Sequence, residues 1–190
     1  MIGTVALEDP AVGDELLALR RELAWDGVQL DQFHATSDKQ RVRDRVFAVL
    51  AAADFRFDVT ILDKRKAYAY LRADPLRFYK TAWFLHFKYV APRIVGPHDE
   101  LLVVASSLQI NRKKKLVHAA IADVVGQVSP TLTFHTAFAQ AMSDPCLQIA
   151  DYMTWAVQRK YETGDARSYD LVRHKIESEF EPYSRGALQY

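Results

Sequence analysis

The sequence contains one cysteine, Cys146, among 190 residues, so no disulfide can form within the chain and a reducing compartment is expected. It also lacks an apolar run of roughly 18 residues, the length that a membrane-spanning helix needs. The N-terminus has neither the basic region nor the apolar region of a signal peptide. We therefore expect a cytoplasmic protein that has no membrane segment.

Several sequence patterns that mark well-known catalytic sites are also missing. The chain has no glycine-rich phosphate loop, no nucleophile elbow and no cysteine and histidine spacing that is typical of zinc sites. It contains no internal repeat and no low-complexity tract. These absences argue against the enzyme and metal-binding classes that those patterns define.

What the chain does contain is enough apolar material for a core. Apolar residues make up 49% of the 190 residues, which excludes a disordered chain and suits one domain over residues 1–190. The net charge is only +1, but its distribution is uneven. Residues 1–32 carry 2 basic and 7 acidic side chains, whereas residues 33–93 carry 13 basic and 6 acidic ones. This basic middle is either a phosphate-facing surface or a set of solvated helix faces.

Hydrophobic periodicity and helix-start signals predict alternating strands and helices. The predicted strands are Ile2–Leu7, Gln29–Ala35, Phe55–Leu62, Leu101–Ala105 and Thr131–Thr136. The predicted helices are 9–24, 39–53, 74–90, 111–126, 143–161 and 169–180. This alternation predicts a single α/β domain with a mixed sheet flanked by helices, in which Leu101–Ala105 is a central strand.

The predicted helix at 74–90 is apolar around most of its circumference. It contains six aromatic side chains, Phe78, Tyr79, Trp83, Phe84, Phe87 and Tyr89. Such a helix is either deeply buried or part of a subunit interface, so a homodimer is expected.

Residues 143–161 form the most informative segment. Ser143 or Asp144 can cap a helix there, and Pro145 suits its first position. At about 100° per residue, Asp151 falls well away from the apolar stripe of this helix but on the same face as Leu147 and Trp155. We therefore expect its carboxylate to be partly covered, against another element or a ligand. The alternatives are a carboxylate that is hydrogen-bonded to a loop, or one that is simply exposed beside these two apolar residues.

This segment resembles the C-terminal motif of a bacterial family catalogued as domain of unknown function 3800, which has a ribonuclease-H-like fold. The resemblance lies in the run Leu147-Gln148-Ile149-Ala150-Asp151 after a Ser-Asp-Pro cap. Phe33–Ser37 is similar to the family's short Phe-His segment, and Phe57–Lys64 is similar to its central strand with a trailing lysine. The resemblance implies a ribonuclease-H-like mixed sheet and a metal-dependent phosphodiesterase or nuclease chemistry.

A site of this kind holds two divalent ions about 4 Å apart between several carboxylates. The resemblance therefore implies Mg²⁺ or Mn²⁺ as the cofactor, Asp151 as metal ligand and catalytic residue, and His34 and Lys64 as further catalytic candidates. Gln148 and Ser143 are candidate binding residues in the motif itself. Arg112 and Lys113, at a helix start, are candidates for binding phosphate, as in nucleic acid.

The chain also departs from the family pattern. The Asp-Glu-Ser motif of the family's first strand is missing, and Ile2–Leu7 is similar to the second strand instead. Either the chain has been shortened at its N-terminus, or its site has changed. Asp144, Asp63 and Asp58 are the carboxylates that remain as further metal ligands.

Three functions follow from these patterns. The first is a metal-dependent nuclease with an incomplete or inactive site. The second is a non-catalytic module that binds nucleic acid or a protein, and the third is a structural role in an oligomer. For single residues the alternatives stay open. His34 is a ligand or a general acid or base, or else a capping or core histidine. Lys64 contacts phosphate or a carboxylate, or else is a solvated lysine at the end of a strand.

Overall fold

A computed structural model describes residues 1–96, 98–106, 111–128 and 132–184, without the side chains of residues 111–114, 116 and 128. The helices are α1 Val12–Trp25, α2 Gln40–Ala52, α3 Ala69–Ala73, α4 Pro75–Ile94, α5 Asn111–Val128, α6 Pro145–Thr163 and α7 Arg167–Val172. The strands are β1 Ile2–Ala6, β2 Arg56–Thr60, β3 Glu100–Ser106, β4 Thr133–Ala139 and β5 Ile176–Phe180. The fold is therefore mixed α/β, as the sequence predicts.

The strands form two small sheets. One has three strands in the order β1-β2-β5, and the other pairs β3 with β4. The prediction that Leu101–Ala105 is a central strand is wrong, because β3 belongs to the two-stranded sheet of the described residues. Its side chains alternate between the two faces, and Leu102 is 61% exposed. An apolar run here marks a strand packed on one face only.

The chain divides into two compact units. The first comprises Met1–Ile2, Val59–Phe138 and Glu179–Tyr190, and the second comprises Gly3–Asp58 and Ala139–Ser178. The single domain expected from the sequence stays a prediction.

In the first unit, the apolar core lies between α4 and α5. Phe87 and Ala91 of α4 pack with Val117, Ile121 and Val124 of α5. The partly buried aromatic side chains Tyr79, Trp83 and Phe84 lie against the same cluster. Packing within the unit therefore covers part of the surface of these aromatic side chains of α4. The homodimer expected from the sequence stays a prediction.

In the second unit, α6 supplies much of the core. Four residues of the apolar stripe predicted for this helix are fully buried, namely Ile149, Met153, Ala156 and Val157. The helix ends at Gly164, whose φ of 72° is left-handed and favours glycine.

Two further predictions about secondary structure are wrong. Residues 169–180 are not one helix, because α7 ends at Val172, a 3-10 turn follows at Arg173–Lys175, and β5 begins at Ile176. Residues 29–35 are not a strand but a loop and turn, in which several backbone N–H groups are bound by side chains. None of the helices in the described part of the chain combines the length and apolar character that a membrane crossing requires.

Gly3 in β1 provides a test of core packing. A Cβ at this position would lie 2.3 Å from Thr154 Oγ1 and 2.7 Å from Cζ of the buried Phe57 ring. We therefore expect Gly3→Ala to lower the free energy of unfolding by about 1–2 kcal/mol, as overpacking does. Denaturant unfolding followed by circular dichroism measures this change.

Gly126→Ala is the matched control, because a Cβ at this exposed position in α5 meets nothing within 4 Å. It should raise the stability by about 0.5–1 kcal/mol, since glycine is a poor helix former. Equal stability of the Gly3→Ala variant and the natural protein would show that the strand moves to make room.

Candidate functional site

The start of α6 is formed by Asp144. Its Oδ1 accepts hydrogen bonds from the N–H groups of Cys146 at 2.9 Å and Leu147 at 3.3 Å, and Pro145 occupies the first helical position. This cap satisfies backbone donors that a helix start leaves open. Ser143 lies instead in the preceding 3-10 turn, where its Oγ donates to the Gln140 carbonyl at 3.0 Å. Of the two predicted candidates, Asp144 is therefore the helix cap. The hydroxyl of Ser143 stabilises the turn before the helix.

Gln148 links α6 to two loops. Its Oε1 accepts the N–H of Phe33 at 3.0 Å, and its Nε2 donates to the Ala141 carbonyl at 2.7 Å. The side chain is only 3% exposed. Gln148 thus uses both ends of its amide inside the protein, although it is a predicted binding residue.

Asp151 lies one turn further along the same helix. Its Oδ2 accepts hydrogen bonds from His34 Nδ1 at 2.9 Å and from the N–H of Ala35 at 3.0 Å. The side chain of Asp151 is 36% exposed, which confirms the prediction of a partly covered carboxylate. The loop that contains His34 and Ala35 covers one side of this carboxylate, which is the alternative of hydrogen bonding to a loop.

Two of the three sequence segments that resemble the family motifs, residues 33–37 and 147–151, therefore form the two sides of one contact. Gln148 and Asp151 together receive three hydrogen bonds from Phe33, His34 and Ala35, across more than 110 positions of the chain. We name residues 33–38 the latch loop.

Asp38 closes the latch loop on itself and fastens it to α6. Its Oδ2 accepts the N–H of His34 at 2.8 Å and the hydroxyl of Tyr152 at 2.5 Å. Asp38 is 8% exposed and Tyr152 is fully buried. Burial, with a smaller contribution from the hydrogen bond to Asp38, raises the pKa of Tyr152 well above its usual value. The hydroxyl of Tyr152 therefore stays protonated and donates a hydrogen bond to the carboxylate of Asp38.

Arg43 of α2 holds the other side of the latch loop. One of its terminal nitrogens donates to the carbonyls of Ala35 at 3.1 Å and Asp38 at 2.6 Å. Its guanidinium lies 5.0 Å from the centre of the Trp155 ring, which is a cation–π distance. Side chains of α2 and α6 thus hold the latch loop in place. Several of its N–H groups bond to side chains and do not take part in a β-strand.

The sequence reasoning missed Asp38, Tyr152 and Arg43 as members of this site. Asp38 lies just before α2, whose N-cap is Lys39. Aspartate often hydrogen-bonds backbone groups close to it along the chain, so its position four residues after His34 is a weak local signal. Tyr152 and Arg43 carry no such local signal.

The remaining predicted site residues lie elsewhere. Lys64 is exposed in the 3-10 turn Lys64–Lys66 of the first unit, with its Nζ 5.4 Å from the centre of the Phe78 ring. The side chains of Arg112 and Lys113, in the first turn of α5, lie outside the described residues.

The carboxylates that could complete a metal site each have another partner. Asp144 caps α6, Asp58 pairs with Arg56 at 2.6 Å, and Asp63 pairs with Arg65 at 2.7 Å. The hydrogen bond from Arg65 lowers the pKa of Asp63 to about 2. Over residues 1–96, 98–106, 111–128 and 132–184, no three histidine, cysteine or acidic side chains form a group that could hold a metal ion. The donor set around Asp151 does not fit a two-metal centre.

Comparison with protein-family models, with curated proteins and with solved structures finds no match for this chain. The class that the structure defines is a mixed α/β protein with small sheets flanked by helices. Its distinguishing feature is the latch loop fastened to α6.

Proposed function

We propose that this chain is a ribonuclease-H-like protein that binds nucleic acid without cleaving it by a metal-dependent route. The observation that carries the proposal is the double hydrogen bond that Asp151 Oδ2 receives from His34 and Ala35. It gives the aspartate of the motif a structural role, because it fixes the latch loop to α6. The contact between the two motif segments supports the family resemblance.

The ligand preferences of Mg²⁺ and Mn²⁺ also argue against metal-dependent cleavage. Mg²⁺ and Mn²⁺ are held mainly by oxygen ligands, and two ions need several carboxylates at once. Asp151 has a histidine and a backbone amide as its closest polar partners, and neither is an oxygen ligand. These residues therefore lack the ligands that a nuclease mechanism through two metal ions requires.

Nucleic acid is the proposed ligand because of the basic middle of the chain. Of the 13 basic residues between positions 33 and 93, at least six are in ion pairs, namely Arg41, Arg45, Arg56, Arg65, Arg77 and Lys80. Lys64, Lys66 and Arg72 are others, and they fall within nine residues of each other. These three cations are the ones that we propose contact phosphate.

A second candidate is a hydrolase in which His34 acts as general base. A carboxylate is only an acceptor, so His34 Nδ1 donates to Asp151 and the neutral ring carries no proton on Nε2. The His34 side chain is 47% exposed, which leaves it accessible to substrate. A carboxylate that orients a histidine in this way is common in hydrolytic sites.

One experiment separates these functions. The natural protein is incubated with labelled single-stranded and duplex DNA and RNA in EDTA, Mg²⁺ or Mn²⁺, and both binding and cleavage are measured. We expect binding that weakens linearly on a plot of log affinity against log salt concentration, and no cleavage in any buffer. Asp151→Asn should keep the binding, because its carbonyl oxygen still accepts a hydrogen bond from the latch loop.

Asp54→Asn, in an exposed loop of the same unit, is the control for the loss of one charge. Cleavage that needs the divalent ion and disappears in Asp151→Asn would establish the nuclease instead. Cleavage that persists in EDTA and is lost in His34→Gln would establish the general-base hydrolase. Absence of binding to all four nucleic acids at low salt would overturn the proposed function.

A further inference from the structure

The segment between β2 and α4 places two tyrosine side chains in solvent. Tyr68 is 52% exposed and Tyr70 is 56% exposed, whereas their neighbours Ala67 and Leu71 are almost fully buried. The segment is therefore anchored by its smaller apolar residues and leaves its largest apolar surfaces outside. Large aromatic groups are normally buried, so an exposed pair in an anchored segment calls for an explanation.

The two exposed rings are ordered relative to one another. Their centroids are 5.6 Å apart, and the ring planes differ by 20°, which is a stacked arrangement. The guanidinium of Arg77 lies 5.8 Å from the centroid of the Tyr70 ring. The neighbouring ring restricts Tyr68, and the neighbouring ring together with Arg77 restricts Tyr70, before any ligand arrives. This lowers the entropy that binding would cost.

The segment that carries the two rings is rich in positive charge. Residues 63–77 contain five basic side chains, Lys64, Arg65, Lys66, Arg72 and Arg77, against the two acidic ones Asp63 and Asp74. Asp63 is bound tightly by Arg65 at 2.7 Å, whereas Asp74 lies 3.9 Å from Arg77 and caps α4. Lys64 and Arg72 are exposed beside the tyrosines in sequence. We name Tyr68, Tyr70, Lys64, Lys66, Arg72 and Arg77 the tyrosine surface.

We infer that the tyrosine surface binds single-stranded nucleic acid, with unpaired bases stacking on Tyr68 and Tyr70 and the cations contacting phosphate. This inference rests on the proposed function and names the surface and the strand type that serve it. Unpaired bases have free faces, whereas the faces in a duplex are already stacked on their neighbours. Exposed aromatic rings within a positively charged segment match a single strand in both shape and charge.

The probe for the test is fluorescein-labelled oligo-dT of about 16 nucleotides, which forms no secondary structure and spans a typical site size. Its affinity is measured by fluorescence anisotropy for the natural protein and for Tyr68→Ala and Tyr70→Ala. We expect each substitution to weaken binding by about 5- to 100-fold, the usual loss for one base stacked on an aromatic ring. Arg72→Gln should reduce the salt slope by about 0.7, the value for one phosphate contact with a single strand.

Tyr161→Ala is the matched control. Tyr161 of α6 is also exposed, at 40%, and also has a lysine over its ring, with Lys160 Nζ 5.2 Å from the centroid. This substitution should leave the affinity for oligo-dT unchanged. The double variant Tyr68→Phe with Tyr70→Phe keeps the rings and should bind as the natural protein does.

Each other outcome overturns the inference. If oligo-dT binds and both alanine variants bind it equally well, the strand lies elsewhere. If the natural protein binds only a duplex of the same length, the proposed function survives and the tyrosine surface is not its site. If it binds neither strand nor duplex, both proposals fail. Loss of affinity in the phenylalanine variant as well would mean that the hydroxyls, not stacking, hold the ligand.

Discussion

Arg56→Ala is expected to lower the free energy of unfolding by about 3 kcal/mol. Arg56 binds both carboxylate oxygens of Asp58, from Nε at 2.6 Å and from a terminal nitrogen at 3.0 Å. Asp58 is fully buried in β2, and its other close partner is the hydroxyl of Ser178 in β5 at 2.5 Å. Without the arginine, the hydroxyl of Ser178 is the one side-chain donor that the described residues leave to this buried negative charge. The value is at the lower end of the range for buried pairs because Arg56 is itself 30% exposed, so water can partly replace it.

Denaturant unfolding measures this effect, and the chain offers a matched control. Arg65 and Asp63 are also two positions apart and also form a short pair, at 2.7 Å, but Arg65 is 81% exposed. Arg65→Ala should therefore leave the unfolding midpoint close to that of the natural protein. The double variant Arg56→Met with Asp58→Leu should be more stable than Arg56→Ala, because it removes the buried charge with its partner. If Arg56→Ala and Arg65→Ala unfold alike, the buried carboxylate does not depend on its arginine.

Local signals in the sequence were sufficient for most of the helices. The Asp-Pro pairs at 74–75 and 144–145 predict helix starts, and in both cases the aspartate caps the helix and the proline occupies its first turn. Such signals work because the residues that set a helix start are neighbours along the chain.

Strand β5 shows where local signals fail. Its sequence, Ile176-Glu177-Ser178-Glu179-Phe180, continues a helical pattern from α7 and contains only two strongly apolar side chains. What favours a strand is contact with distant residues. Phe180 stacks on Tyr89 with the ring centroids 4.1 Å apart, and its carbonyl accepts the N–H of Ile61 at 2.8 Å. Those partners are at least 90 positions away, so no window of the local sequence contains them.

The sequence predicts some members of the candidate site but not its chemistry. His34, Gln148 and Asp151 were identified from the motifs, and the structure brings all three into one set of hydrogen bonds. The motif alone could not tell a carboxylate that holds a metal from one that holds a loop. That distinction depends on Ala35 N and His34 Nδ1, which arrive from a segment 116 and 117 positions away.

Asp38→Ala is the second large effect that we expect, again about 3 kcal/mol of lost stability, because it leaves two donors without their acceptor. The hydroxyl of Tyr152 is fully buried and donates to Asp38 Oδ2 at 2.5 Å, and the N–H of His34 donates to the same atom at 2.8 Å. A buried donor that loses its partner costs about 1–3 kcal/mol. Tyr152→Phe removes only the hydroxyl and leaves the bond from His34, so its cost should be about 1 kcal/mol.

Asp44→Ala is the control, since Asp44 is an exposed aspartate on α2 whose carboxylate accepts a hydrogen bond from Gln40 at 2.6 Å. Amide hydrogen exchange then tells how the latch loop is held. Asp38→Ala should speed exchange at His34, and Asp151→Ala should speed it at Ala35, because each carboxylate protects a different N–H. If Asp38→Ala is as stable as Asp44→Ala, the network around Tyr152 does not fasten the loop. If Asp38→Ala is destabilised while Ala35 stays protected in Asp151→Ala, then Asp151 is not needed for the latch. Its carboxylate and His34 would then be free for a substrate, and the general-base hydrolase would become the better explanation of the motif.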